Sequence, residues 1–325
     1  MVDWVGNDGL ATAERFRDMG ERQVRGISPT YERLCLGVAG DHEVLHLLDT
    51  LPAPKRQPNL LLGAVRFMDG PVSSYPEFRA FVTSSWDGLS ATMLARRTQT
   101  NEALRCTAYL PVLATLPQPL ALLEVGASAG LCLRLDRYAY RYDDRPALGS
   151  SSLVLQCRTT GPVQLPRQVP SVVWRRGLDL NPLDVTSEED MGWLRSLVWP
   201  EQTARFEVLR QAIEIARRDP VEIVRGDLTT DLLEVAADAP RHATLVVLHS
   251  AVLAYLDGPQ RALFRAELDA IRGDRPLVWL SNEGPGVCVD FPSPEGAAVP
   301  FVLARDGVPL AYTSPHGDWL DWFSG

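Results

Sequence analysis

The 325-residue chain predicts an α/β protein: a mostly parallel sheet flanked by helices, preceded by an all-helical segment. Three observations carry this. Up to about residue 118 the apolar positions recur with a helical period and show no sustained alternation. From residue 119 onward, short apolar runs rich in Val and Leu alternate with amphipathic helical stretches, as βαβ units do. The first of these runs, ALLEV, ends in Gly126-Ala127-Ser128-Ala129-Gly130, a glycine-rich turn expected to open a helix.

In the helical segment, residues 1–118, Leu34, Val38, Leu45, Leu47 and Leu48 form one apolar face, and Leu60 to Phe67 and Phe78 to Val82 form two more. PAPKRQPN, residues 52–59, is a Pro-bounded connection. His42-Glu43-Val44-Leu45-His46 matches the H-E-x-x-H pattern of zinc peptidases, but Arg66, Phe67 and Asp69 stand where a third ligand is needed. The pattern therefore reads as the polar face of a short helix, and no metal is expected. Residues 95–117 give a helix lined by Leu104, Ala108, Leu110 and Leu113. Its polar start, with Arg97, Gln99, Asn101 and Glu102, is expected near the mouth of the glycine-rich turn, where it would contact substrate.

In the second domain, residues 119–325, a β insertion is expected around 138–168, where Tyr138, Tyr140 and Tyr142 alternate. The next core strands are SVVWRRGLDLNPLDV, with Asp179 and Asn181 near its end, and VEIVRGDL, ending at Asp227 and Leu228. ATLVVLHSAVLAYL follows, with His249, Ser250 and Tyr255, and then PLVWLSNE, ending at Asn282 and Glu283. A tail hairpin is expected around Asp306-Gly307. Ligands of open parallel sheets bind outside the carboxyl ends of the strands, which is where these acids and His249 fall.

Composition bounds the partners. A net charge of -9 argues against a general nucleic-acid surface. The five cysteines form no C-x-x-C pair, which fits a reducing cytoplasm. No signal peptide and no membrane span are visible. A small-molecule substrate is the expected partner.

The acid two residues before the first glycine distinguishes two chemistries. Apolar-apolar-acid-apolar-Gly-x-Ser-x-Gly resembles the first motif of class I S-adenosylmethionine-dependent methyltransferases. LLEVGASAGL, GLDLNPLDV, RGDL and VVLHSAVLAYL, with QTNE upstream, together resemble the bacterial domain of unknown function 2332 family, grouped by sequence with Rossmann-like methyltransferases. Cys132 stands where that family usually has Asn. The resemblance implies a Rossmann-like methyltransferase sheet of seven strands with an antiparallel C-terminal hairpin, and S-adenosylmethionine as cofactor. It assigns the cofactor to Glu124, Gly126, Ala127, Ser128, Gly130, Asp179, Asn181, Asp227, Leu228 and His249, with His249 also the candidate base. Arg97, Gln99, Asn101, Glu102, Ser250 and Tyr255 are left for the substrate. The expected activity is methyl transfer to a small or medium-sized metabolite. Two rivals stay open: a serine hydrolase with Ser128 in a G-x-S-x-G elbow, supported by Asp290 and His316 in hydrolase chain order, and a methyltransferase-like binding protein without turnover.

Overall fold

The computed structural model describes residues 11–292 and 300–323. The described residues divide into two compact units: one made of those through Thr100 together with Ser187–Glu207, the other of Asn101–Thr186 and those from Val208 onward. The helical unit runs to Thr100 and includes the later segment Ser187–Glu207.

The first unit is helical. Thr12–Asp18, Pro29–Ala39, His42–Asp49, Pro58–Phe67, Tyr75–Ser84 and Trp86–Ala95 are joined by Glu188–Ser196. They share one core that includes Phe16, Tyr31, Leu34, Leu61, Phe78 and Trp193. Trp193 explains why the later segment belongs here: its large ring is fully buried, and its indole N–H donates to the Arg97 carbonyl at 2.9 Å. In the H-E-x-x-H helix, Asp41 caps the first turn through Glu43 N and Val44 N, and Glu43 pairs with Arg79. Among the described residues no three His, Cys, Asp or Glu side chains gather as a metal site.

The second unit is built on one sheet of ten strands: β1 Leu120–Val125, β2 Ala139–Tyr142, β3 Val154–Thr160, β4 Val172–Asp179, β5 Ile223–Arg225, β6 Thr244–Ser250, β7 Leu277–Glu283, β8 Phe301–Arg305, β9 Val308–Thr313 and β10 Trp319–Trp322. Their order is β2-β3-β10-β9-β8-β7-β6-β1-β4-β5. The run β5-β4-β1-β6-β7 is parallel, β8 and β9 form the antiparallel hairpin, and β10 joins that hairpin to the insertion strands β3 and β2. Among the described residues the sheet has ten strands, because the insertion and the tail extend it instead of decorating it.

β1 is buried at every position, as a central parallel strand with both faces covered must be. Ala121, Leu123 and Val125 face a core completed by Val247, Trp279, Phe264, Leu268 and Ile271, the last three from the helix Gly258–Asp274. Leu122 and Glu124 face the other way. From β1 the chain runs out through β4 to β5, then returns across β1 to β6 and β7. The topological switch therefore lies beside β1, at its carboxyl end.

Among the described residues no helix is long and apolar enough to cross a membrane.

Candidate functional site at the carboxyl edge of the sheet

Glu124 is paired laterally with Gly177 of β4 and Leu248 of β6. It is 4% exposed, and its Oε2 has no hydrogen-bond partner. Burial pushes its carboxyl well above the ordinary carboxylate range. Cys132 adds to the rise, and the Arg105 guanidinium opposes it only in part. Burying a carboxylate with one oxygen unpartnered is costly, so this environment favours the protonated acid.

After Val125 the backbone turns through three left-handed residues, Gly126 (φ 67°), Ser128 (φ 52°) and Gly130 (φ 65°). Only glycine fits at Gly126: besides its φ, a Cβ there would meet Val252 Cγ2 at 2.2 Å. The turn's backbone is largely tied within the unit. Gly126 N donates to the Leu178 carbonyl, Ser128 N to Asp179 Oδ2, and Leu131 N to Asn101 Oδ1, each at 2.8 Å. Arg134, 1% exposed, donates to the Gly130 carbonyl at 2.6 Å and to those of Asp219 and Ala216. The expected helix after the turn is a six-residue 3₁₀ segment, Cys132–Arg137, kinked at Arg134. With so short a helix and most turn N–H groups engaged, the structure offers no helix-dipole anion site, and recognition falls to side chains.

Asp179 ends β4. Its Oδ1 accepts Asn181 N at 2.7 Å while Oδ2 holds Ser128 N, so it clamps the tips of β1 and β4 together. Asp227, past the end of β5, turns its Oδ1 to Thr229 N and Oγ1. The Leu228 side chain lies in the hydrophobic core.

His249, the candidate base, is fully buried, and both ring nitrogens are engaged. The Trp279 indole can only donate, so its 2.9 Å bond fixes Nε2 as the acceptor. Nδ1 then carries the proton and donates to Glu283 Oε1 at 2.7 Å. A base needs a free nitrogen within reach of substrate, and His249 presents none. Glu283 Oε1 also accepts Val252 N and Leu253 N, so this trio frames the turn after β6, where Ala251 takes φ 57°.

The expected substrate residues are divided between the two units. Arg97 and Gln99 belong to the helical unit, whereas Asn101 and Glu102 belong to the sheet unit. Asn101 supports the turn, and Glu102 accepts the Cys132 thiol on its carbonyl while its carboxylate lies 3.6 Å from His316 Nδ1. The Ser250 hydroxyl is buried and lies beside that of Tyr109, without hydrogen-bonding geometry between them. Tyr255 is 52% exposed on a short 3₁₀ turn. For the hydrolase reading, Ser128 Oγ is buried without a partner, and Asp290 borders a recess of about 390 Å³ lined also by Arg265, Trp279 and Asp306.

Sequence reasoning had reached Asn282 and Glu283 as a strand end without assigning them a role, and had passed over Arg105 and Tyr109. Three polar residues closing an otherwise apolar strand, SNE after PLVWL, are the available signal.

No curated protein matches the chain. A family model described as "Uncharacterized protein conserved in bacteria (DUF2332)" matches residues 13–322, and the chain belongs to that family.

Proposed function

We propose that the carboxyl edge of β1, β4 and β5 binds S-adenosylmethionine and that the protein transfers its methyl group to a small or medium-sized metabolite. The observation that carries this reading is Glu124: a buried carboxyl with an unpartnered oxygen, next to a glycine turn, at the switch point of a parallel sheet. It fits a cationic amino group, which would supply the missing partner and hold the acid ionised. Gly126 lets Val252 of the turn after β6 pack directly on the turn after β1. Asp179 stands at the β4 tip beside the turn, the position suited to a ribose, and Asp227 at the β5 tip suits a donor such as the adenine amino group.

The cofactor supplies a methyl group on a good leaving group, so the protein's task is chiefly alignment and exclusion of water. His249 contributes by fixing the turn after β6 and not by moving a proton. Titration calorimetry tests the reading: S-adenosylmethionine is expected to bind with a Kd below 1 mM, roughly the weak limit for a specific small-ligand site, and saturation weaker than that overturns it.

Ser128 gives the hydrolase reading one supporting observation, a left-handed backbone with an unpartnered hydroxyl. A triad requires His on that hydroxyl, whereas His316 Nδ1 lies 3.6 Å from the Glu102 carboxylate and Ser128 Oγ accepts and donates no hydrogen bond. Covalent labelling of Ser128 by a fluorophosphonate would establish the hydrolase instead.

A further inference from the structure

The face of the sheet that carries Glu124 ends in a second polar group. Along β6 and β7, Leu248 pairs with Leu280 and Ser250 with Asn282, and Leu248 is itself the lateral partner of Glu124. Side chains alternate along a strand and agree across a parallel pair, so Glu124, Ser250 and Asn282 point to one face. Ser250 and Asn282 stand two residues farther toward the carboxyl edge, about 7 Å along the strand from the Glu124 row.

Asn282 is fully buried, and its amide is oriented by a neighbour. Thr313 Oγ1 donates to Oδ1 at 2.7 Å, which leaves Nδ2 as a buried donor without an acceptor. Ser250 Oγ, buried and also without a partner, lies one strand away in a half-buried residue. The backbone beneath both is held in place. Ala251 N donates to the Asn282 carbonyl, and Glu283 gathers Val252 N, Leu253 N and His249 Nδ1 on the opposite face. Unmet donors held by a rigid frame are how a binding site is prepared for an acceptor atom. Arg105, 5% exposed, lies close enough for its charge to act on both Tyr109 and Glu124.

We infer that Asn282 and Ser250 form the subsite for the second substrate and that they grip a carboxylate or carbonyl oxygen of it. The site accordingly selects acyl-bearing metabolites over amines. This inference rests on the proposed methyl transfer for its biological meaning, though the oxygen subsite is measurable without the cofactor.

The experiment is ligand-observed NMR on the full chain with acetate, propionate and benzoate, against ethylamine and benzylamine as size-matched cations. Wild type is expected to bind at least one of the acids and neither amine. Asn282→Asp, which keeps the Thr313 contact but exchanges the donor for an acceptor, is expected to lose acid binding at least tenfold. Ser250→Ala, expected to weaken it several-fold, covers the case in which the Asn282 variant does not fold. Wild type that binds no acid or prefers the amines overturns the inference, as does acid binding indifferent to both substitutions. An S-adenosylmethionine titration of the same samples separates the two readings: cofactor binding without acid binding removes this subsite alone, and acid binding without cofactor binding removes the methyltransferase reading alone.

Discussion

Replacing Glu124 by Gln separates two effects that its carboxyl carries with opposite signs. In the folded chain this acid is held well above its ordinary range, first by burial, then by Cys132, against a partial opposing pull from Arg105. An acid shifted upward on folding gives its full contribution to stability below the unfolded-state pKa of about 4.3, and loses it as pH climbs toward the folded-state value. The loss amounts to about 1.4 kcal/mol per pH unit. Gln does not titrate, so the stability of Glu124→Gln relative to wild type should improve by that slope from pH 5 upward, and level off once pH passes the folded-state pKa. Urea unfolding of both proteins at pH 5, 6 and 7 reads the difference directly. Parallel stability profiles over this range would show that the carboxyl ionises in the fold as it does in the unfolded chain, and the argument from burial would fail. Binding should move the other way. A hydrogen bond to a charged group contributes about 1.5–3 kcal/mol, so the same substitution should weaken S-adenosylmethionine roughly 10- to 150-fold. Wild type should also release protons on binding, seen by calorimetry in two buffers of different ionisation enthalpy, and the Gln variant should not.

Other substitutions test the frame around the site. Gly126→Ala places a methyl group 2.2 Å from Val252 at a left-handed φ and should cost about 1–3 kcal/mol in a denaturant melt, whereas Gly258→Ala, with open space around its Cβ, should be close to neutral. Trp279→Phe removes the donor to His249 Nε2 and leaves a buried acceptor unpaired, for a loss of about 1–3 kcal/mol by the same measurement. Arg134→Met strips the Gly130, Ala216 and Asp219 carbonyls of their donor, and should loosen the turn enough to raise amide exchange at Gly130 and Leu131 at least tenfold. Ser128→Ala should leave cofactor affinity within about threefold, since the interaction that holds the turn is made by the Ser128 backbone N–H.

The core strands were legible because parallel strands buried on both faces are written as unbroken apolar runs: ALLEV and LVVLH became β1 and β6 almost as read. The acids Glu124 and Asp179 could be placed at one end of the sheet because strand ends follow where such runs stop. What those acids touch was not legible. Asp179 spends both oxygens on backbone N–H groups of Ser128 and Asn181, a partnership set by how the β1 and β4 tips meet, which no local pattern encodes. His249 carries the right chemistry for a base, but a Trp thirty residues later and a Glu beyond it decide that it serves as a strut. The six-residue 3₁₀ segment escaped because LCLRLDR has ordinary helix-forming composition. The Arg134 side chain, turned onto carbonyls at Gly130 and Asp219, accompanies the kink that cuts the helix short.

β10 sits between β9 and β3, in the interior of the ten-strand order. Thr160 on β3 and Asp321 on β10, 161 residues apart, share a side-chain hydrogen bond. During synthesis, β3 is made well before the strand that bridges it to the hairpin. Until that late segment emerges, the insertion presents an open strand edge, the kind of surface that invites mispairing with other chains. Such distant pairings also form slowly. Assembly of this sheet therefore closes by zipping a late piece into a waiting gap, which marks Trp319–Trp322 as the place where a trimmed or fused version of the protein would be caught half built.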